Sequence, residues 1–403
     1  ILGGMCARVC PTETLCEEAC VRETAEGKPV QIGRLQRFAT DVAIGQGRQF
    51  YSRAPDTGRR IAIVGTGANG ASIGADLTLA GEDVVFVEQW PAHVEAMRAR
   101  GVTIRMPERT LSVPVRALHL CDVATLREPF DVVLLLVKAY DTRWAAHLIE
   151  PYLAPDGVMC GVQNGMTTSV VADVAGPART IGAVIEITSM MATPGIVERH
   201  SGHARSWFAV GSIDPATAGR EEEVASLLRH AGAVEVVADI EAAKWMKLVS
   251  NCTTLVTTAI LGLSMVEAAA IPAMRDLMLR SGQEALDATV ALGNPILPIF
   301  GLAPADVAQP GAVVETLLDT LLGGFVLPSS TTTILQDWTK GRHSEVDDIN
   351  GHVVRTLAAL GRPAPVNAAV VRLAHEIERG TLQPDPANLP LLLEQAGLAA
   401  AVR

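Results

Sequence analysis

Three groups of residues in this 403-residue chain have types and spacings that can do chemistry. The first is Gly65-Thr66-Gly67-Ala68-Asn69-Gly70, directly after the apolar run at 61–64. In a Gly-x-Gly-x-x-Gly turn between strand and helix, the first glycine permits the tight turn. The second lets backbone approach a pyrophosphate, and the third lets helix and strand pack closely. The helix N-terminus then turns its free amides toward phosphate. The second group is Lys247 and Asn251, four apart and so on one face of a helix. Trp245, Met246, Leu248 and Val249 surround that lysine with apolar groups. Burial there disfavours the ammonium form and brings the amine toward a range useful for proton transfer; the plainer alternative is a partly exposed lysine on a domain-packing helix. The third group is Cys6, Cys10, Cys16 and Cys20. Their gaps are not those of zinc sites, which favour two-residue spacers. A proline beside a cysteine in a tight cluster, as in Cys10-Pro11, suits iron–sulfur ligation better.

These groups need elements to position them. A strand at 61–64, a helix over about 68–80 and a second strand at 83–87 make a βαβ unit. Glu88 ends that second strand, where an acidic side chain binds the adenosine ribose hydroxyls. A carboxylate there repels a 2′-phosphate and so favours NADH over NADPH; a solvated strand-end charge is the alternative. The apolar run at 130–137 predicts a buried parallel strand ended by Lys138, and 157–162 another, followed by Gln163-Asn164-Gly165. Ligand crevices form at the carboxyl ends of such strands, which puts Lys138 and Asn164 on the rim. A snorkelling lysine and a simple turn asparagine are the competing readings. Residues 241–261 read as one long helix, and 42–57, with their glycine and proline breakers, as a linker.

Composition narrows the function classes. The net charge is −11 and the lysines and arginines are scattered, which argues against a nucleic-acid partner. The apolar runs are too short to cross a bilayer, and residues 1–20 hold cysteines and acids where a secretory signal needs an apolar stretch. A cytoplasmic location is therefore expected, and with it no disulfide framework. Cys121, Cys160 and Cys252 read as ordinary buried thiols. The histidines show no paired metal spacing. The first residue is Ile rather than Met, as in a fragment or trimmed chain.

Two family resemblances emerge from these motifs. Gly-Thr-Gly-Ala-Asn-Gly, Leu-Leu-Val-Lys138-Ala, Gln-Asn164-Gly-Met, Lys247-Leu-x-x-Asn251-Cys252 and Glu345-Val-Asp-Asp-Ile-Asn350-Gly351 together resemble the ketopantoate reductase (2-dehydropantoate 2-reductase) family over about 59–385. The resemblance implies a Rossmann domain binding NAD(P)H through Gly65, Thr66, Gly67, Ala68, Asn69, Gly70 and Glu88. It places Lys138 and Asn164 at the nicotinamide and the substrate. Lys247 becomes the catalytic lysine and Asn251 a substrate ligand. Thr333 would hydrogen-bond the substrate carboxylate, and Glu345 would bind substrate and orient Lys247. Helix capping for Thr333 and exposure for Glu345 are the bland readings. Two departures matter. NADPH-using members carry a basic residue where this chain has Glu88-Gln89, which leans it to NADH. Pantoate-forming members have an asparagine where this chain has Leu255, which favours a more apolar 2-keto acid.

The cysteine segment, with Ile32-Gly33-Arg34-Leu35-Gln36-Arg37-Phe38, resembles part of the iron–sulfur domain of dihydropyrimidine dehydrogenase and the glutamate synthase small subunit. By position Cys10, Cys16 and Gln36 would ligate one [4Fe–4S] cluster and Cys20 another, an incomplete set, since each cluster normally needs four ligands.

The expected fold is α/β: a doubly wound parallel sheet of Rossmann type, then an all-α domain like the C-terminal domain of 6-phosphogluconate dehydrogenase, preceded by a short Cys-rich helical segment. The expected segments are 1–41, a linker at 42–58, a nucleotide domain at 59–230 and a helical substrate and dimerisation domain at 231–403. The expected activity is reduction of a 2-keto acid, ketopantoate by default, by a possible homodimer. The alternatives are an NAD-dependent D-2-hydroxyacid dehydrogenase of the D-mandelate type and an iron–sulfur electron-transfer or scaffold subunit.

Overall fold

The computed structural model describes residues 11–46 and 58–398. The chain divides into two compact units that part between Thr57 and Gly58. In the small unit, helices Val21–Glu26 and Ile32–Gly45 follow a 3₁₀ turn at Thr12–Thr14. Gly27, at φ +63°, ends the first helix in the left-handed conformation that glycine adopts without strain. Glu17 accepts the amide of Gly33 at 3.0 Å and starts the second. That helix runs on to Gly45, four residues into the expected linker.

The large unit is built on β1 (Arg60–Val64), β2 (Asp83–Glu88), β5 (Arg116–His119), β6 (Phe130–Leu135), β7 (Leu153–Val162), β8 (Thr180–Glu186), β11 (Trp207–Ser212) and β12 (Ala233–Val236), in the order β12-β11-β8-β7-β6-β1-β2-β5. Six neighbouring strands are parallel, with β1 between β2 and β6. The order reverses there, so the carboxyl ends of β1 and β6 open the ligand crevice. The expected parallel sheet is extended at one edge by a strand of opposite sense: β11 runs antiparallel to β8 and carries β12 with it. A second sheet, of β3 (Val102–Arg105), β4 (Thr110–Val113), β9 (Ser189–Thr193) and β10 (Ile196–Arg199), is ordered β4-β3-β10-β9. Arg199, fully buried, ties it to helix Ala68–Leu79 through Asp76 at 2.6 Å and Ser72 at 3.0 Å.

The helical part is organised by Ile240–Ile260, capped by Asp239, which accepts the amide of Ala242 at 2.9 Å. Every residue of this helix except Glu241 is buried. Its threonines survive burial because each returns its hydroxyl to the carbonyl four residues back, as Thr253 does to Val249 at 2.8 Å. Helix Pro272–Ala291 approaches closely at Gly282, where a Cβ would meet Thr253 Oγ1 at 2.2 Å. Helix Ile240–Ile260 also packs on the sheet, sharing a core with Val184 of β8 and Trp207 and Ala209 of β11. That contact brings Lys247 up to a strand end. No described helix is long and apolar enough to cross a membrane. Cys160 and Cys252 are buried as expected; Cys121 is exposed, because it sits on a 3₁₀ turn after edge strand β5.

Candidate active site

The glycine turn is shaped as its sequence requires. Gly65 has φ +87°, and a Cβ there would strike Val137 N at 2.6 Å. A Cβ on Gly70 would meet the Gly65 carbonyl oxygen at 2.2 Å. Gly67 differs: it caps helix Ala68–Leu79 without a side-chain partner and has open space where a Cβ would stand. Amides left uncapped at a helix start and a void above them fit a dinucleotide pyrophosphate. Thr66 turns inward. Its hydroxyl donates to Glu88 at 3.2 Å, and its carbonyl accepts from His93 Nε2 at 2.8 Å. Gly195 donates its amide to His93 Nδ1 at 2.9 Å, which fixes the proton on Nε2. Burial holds His93 below the usual histidine range. Asn69 hydrogen-bonds Ser189 of β9 through its side chain, leaving its main chain to the crevice.

Glu88 lies at the strand end, buried, with its other oxygen accepting the Trp90 amide at 2.9 Å. It is a fixed acceptor rather than a solvated charge. A cation that the sequence did not signal faces this end: Arg342, from the helical part, stacks on the Trp90 ring at 5.6 Å. A cavity of about 460 Å³ runs from this end along the switch point, lined by Gly67, Glu88, Lys138, Asn164, Thr333 and Glu345 among others.

Lys138 does not snorkel. Its ammonium bridges Asp337 at 2.6 Å and Glu345 at 3.2 Å. Burial works against the charged amine, but the two carboxylates outweigh it and raise its pKa above the ordinary lysine range. Burial also pushes Asp337 up from the usual aspartate range. Glu345 uses its second oxygen to accept the Ala139 amide at 2.9 Å. Asn164 stands beside Gly165, whose φ of +74° makes the turn. Its neighbour Gln163 is locked onto Val137 O at 2.7 Å and Thr142 Oγ1 at 2.9 Å.

Lys247 is 6 % exposed and ion-paired with Glu186, the last residue of β8. Glu345 was expected to orient Lys247; it is instead occupied by Lys138 and Ala139. The apolar surroundings expected of Lys247 are joined by a carboxylate that balances its charge. Glu186 was missed, although the strand-end rule that singled out Lys138 and Asn164 applies equally to it. The apolar face is supplied by Phe300, whose ring lies 5.0 Å from the ammonium. Lys247 and Asn251 do not line the 460 Å³ cavity; Ile185, next to Glu186, does. Lys244, one turn earlier, is buried and donates to the carbonyls of Gln163 and Ala183, both at 3.1 Å. Burial pulls it down to about 8.

Three proposed substrate ligands share one property: Asn164 Oδ1, Asn251 Nδ2 and Thr333 Oγ1 are buried without a hydrogen-bond partner. Buried polar atoms are normally paired, and each orphan costs about 1–3 kcal/mol. Thr333 is not the helix cap; Thr332 is, accepting the Leu335 amide at 3.2 Å. Asn350, of the Asp-x-Ile-Asn-Gly motif, is a support: it donates to Asn367 at 2.7 Å beneath Cys252. Leu255 is buried on the face of Asn251, one turn on.

Of the proposed cluster ligands, Cys10 lies outside the described residues, as does Cys6. Cys16 is exposed and Cys20 half-buried, and Gln36 Oε1 is buried without a partner. Among the described residues no three His, Cys, Asp or Glu side chains gather to hold a metal ion.

Fold and crevice define a dinucleotide-dependent oxidoreductase with an appended helical domain. Residues 61–212 match the family described as ketopantoate reductase PanE/ApbA, and 239–378 its C-terminal counterpart. The chain belongs to the ketopantoate reductase family and is a 2-dehydropantoate 2-reductase-like oxidoreductase. It is 27 % identical over 330 residues to the 2-dehydropantoate 2-reductase of Archaeoglobus fulgidus, covering 80 % of this chain and 99 % of that one. A PanE/ApbA family ketopantoate reductase from Ralstonia eutropha superposes with TM-score 0.67 at 25 % identity, over 80 % of this chain and 99 % of that one. D-mandelate dehydrogenase bound to NADH and anilino(oxo)acetate shares the fold, with TM-score 0.70 at 17 % identity, over 80 % and 99 % of the two chains. Residues 1–48 match dihydropyrimidine dehydrogenase domain II, 4Fe-4S cluster. The NAD-dependent dihydropyrimidine dehydrogenase subunit PreT of Escherichia coli K12 is 38 % identical over 115 residues, 28 % of this chain and 27 % of that one.

Proposed function

We propose that this chain reduces a 2-keto acid to the 2-hydroxy acid with NADH, ketopantoate being the default substrate. The observation that carries the reading is the set of orphan polar atoms on Asn164, Asn251 and Thr333. An uncapped glycine turn and a buried, charge-balanced lysine accompany them. Gly65, Gly67 and Gly70 admit the pyrophosphate, and Glu88 takes the ribose hydroxyls. The bound nicotinamide supplies the hydride. Lys247 gives a proton from Nζ to the oxygen of the reduced carbonyl and stabilises the negative charge developing there. Thr333 donates to the substrate carboxylate, Asn251 donates an amide proton to a substrate oxygen, and Asn164 accepts from the carboxamide end of the cofactor. Lys138, neutralised by Asp337 and Glu345, shapes the rim between them. Cytoplasmic residence and a homodimer accompany this reading, and the iron–sulfur-like segment stands outside the hydride chemistry.

A second reading is favoured by one residue. Leu255 presents an apolar surface one turn beyond Asn251, so a larger apolar 2-keto acid, or oxidation of its D-2-hydroxyacid, suits the site. The test is the loss of reduced-nicotinamide absorbance with NADH and NADPH in parallel, against ketopantoate and a branched or aromatic 2-keto acid. Turnover with ketopantoate supports the default. Turnover with the bulkier acid alone supports the second reading, and no turnover with any pair rejects both. Leu255→Asn shifts preference toward ketopantoate by about tenfold or more if this residue sets the choice.

A further inference from the structure

We propose that Glu186 is the residue that positions Lys247, in the place the family resemblance gives to Glu345. The inference rests on Lys247 being the proton donor. The two carboxylates have divided their work. Glu345 spends both oxygens on the rim, one on Lys138 at 3.2 Å and one on the Ala139 amide at 2.9 Å. Glu186 meets Lys247 directly, with both side chains about a tenth exposed or less.

Phe300, whose ring also lies against the ammonium, holds φ +64°, a left-handed conformation strained for a bulky residue. Trp207 at 5.7 Å and Phe325 at 5.2 Å pack on its ring. The strained aromatic and the carboxylate both contact the ammonium.

The other ionisable groups around this helix are engaged elsewhere. Lys244 is bound to Gln163 and Ala183 carbonyls. Glu284, from Pro272–Ala291, accepts the amides of Val366 and Asn367. Asp337, from Thr333–Thr339, sits on Lys138. His352, from Asn350–Ala359, stacks against Trp245 at 5.3 Å. Glu186 is therefore the charge that Lys247 meets.

The carboxylate pairs with the ammonium and fixes where it stands. One N–H is held by Glu186, which leaves two others to turn toward the carbonyl oxygen. As the hydride arrives, an Nζ–H bond breaks and an O–H bond forms. The neutral amine keeps its hydrogen bond to Glu186, and water returns the proton.

The test compares the full-length wild type with Glu186→Gln, Glu186→Asp and Glu345→Gln. It follows kcat from about pH 6 to 10, with NADH binding by fluorescence. Glu186→Gln is expected to cut kcat roughly 10–100-fold, the scale for losing a residue that orients a reacting group. NADH affinity is expected to hold, and the alkaline limb of the profile to move to lower pH. Glu186→Asp restores part of both. Glu345→Gln leaves the limb in place and weakens NADH binding instead. A wild-type kcat and limb in Glu186→Gln, or the limb shift in Glu345→Gln, overturns the proposal. Should Glu186→Gln lose NADH binding, Glu186→Asp decides alone: reduced kcat with the limb near its wild-type position supports the proposal, and wild-type kcat overturns it. Lys247→Ala separates this from the parent reading, because activity surviving in that variant rejects the proton donor whatever Glu186 does.

Discussion

Lys138, at the carboxyl end of β6, holds Asp337 at 2.6 Å and Glu345 at 3.2 Å, and both carboxylates are buried in the helical part of the unit. One ammonium therefore bridges two acids and pins the helical domain to the crevice rim. Removing it by Lys138→Met leaves both carboxylates buried and uncompensated, at a cost of about 3–5 kcal/mol. The pH dependence has a definite sign. Burial already raises Asp337, and a carboxyl whose folded pKa is raised stabilises the fold below its unfolded pKa and loses that stabilisation as pH rises through the folded value. Without Lys138 that rise grows, so the deficit of the variant is larger at pH 7 than at pH 5. Urea unfolding of wild type and variant at both pH values measures it.

The two open ends of the glycine turn make opposite predictions. Gly70→Ala drives a Cβ to 2.2 Å from the Gly65 carbonyl oxygen, so the variant loses thermal stability and cofactor binding together. Gly67→Ala has free space for its Cβ and an ordinary φ of −61°, so its melting temperature stays near wild type. Its methyl occupies the open space that the proposed mode of binding gives to the pyrophosphate, so NADH binding is expected to weaken by about tenfold or more. Thermal melts with and without NADH separate the two.

Glu88 is held in place by the Thr66 hydroxyl and the Trp90 amide, with Arg342 across the ring of Trp90. Glu88→Gln removes the charge proposed to repel a 2′-phosphate while keeping an acceptor. The ratio of kcat/KM for NADPH to that for NADH is expected to rise about tenfold, on the scale of one charged contact. An unchanged ratio contradicts the role given to Glu88.

Lys244 offers a test of burial alone. Its folded pKa falls to about 8 against an ordinary 10.5. Between those values the unfolded chain holds a proton that the folded chain has released, so stability rises with pH there. The full difference is roughly 3 kcal/mol. Lys244→Met flattens that rise, although it forfeits the hydrogen bonds to Gln163 and Ala183. Urea unfolding at about pH 7.5 and 9.5 reads the slope.

Local signals foretold the parts of the fold that local physics decides. The glycine turn, the strand ending at Glu88, the strand that stops just short of Lys138, and the long helix carrying Lys247 all follow from apolar runs and their breakers. The second sheet did not, because β3 and β4 are four residues each, too short for their alternation to stand out from loop sequence. The antiparallel turn of β11 was hidden for another reason: a buried strand reads alike in either direction. Pairing through space was the main loss. Nothing near Glu345 in sequence says that Lys138 will claim it, or that Glu186 will serve Lys247 from 61 residues away. Yet Glu186 stood at the end of an apolar run, and the reasoning that chose Asn164 would have chosen it too.

The most direct measurement is NADH oxidation by wild type and Lys247→Ala with a 2-keto acid that the wild type accepts, alongside NADH binding to each. The account predicts that the variant binds NADH as the wild type does and loses turnover by at least about 100-fold, the lower scale of general acid catalysis. A variant that retains most of its turnover contradicts it.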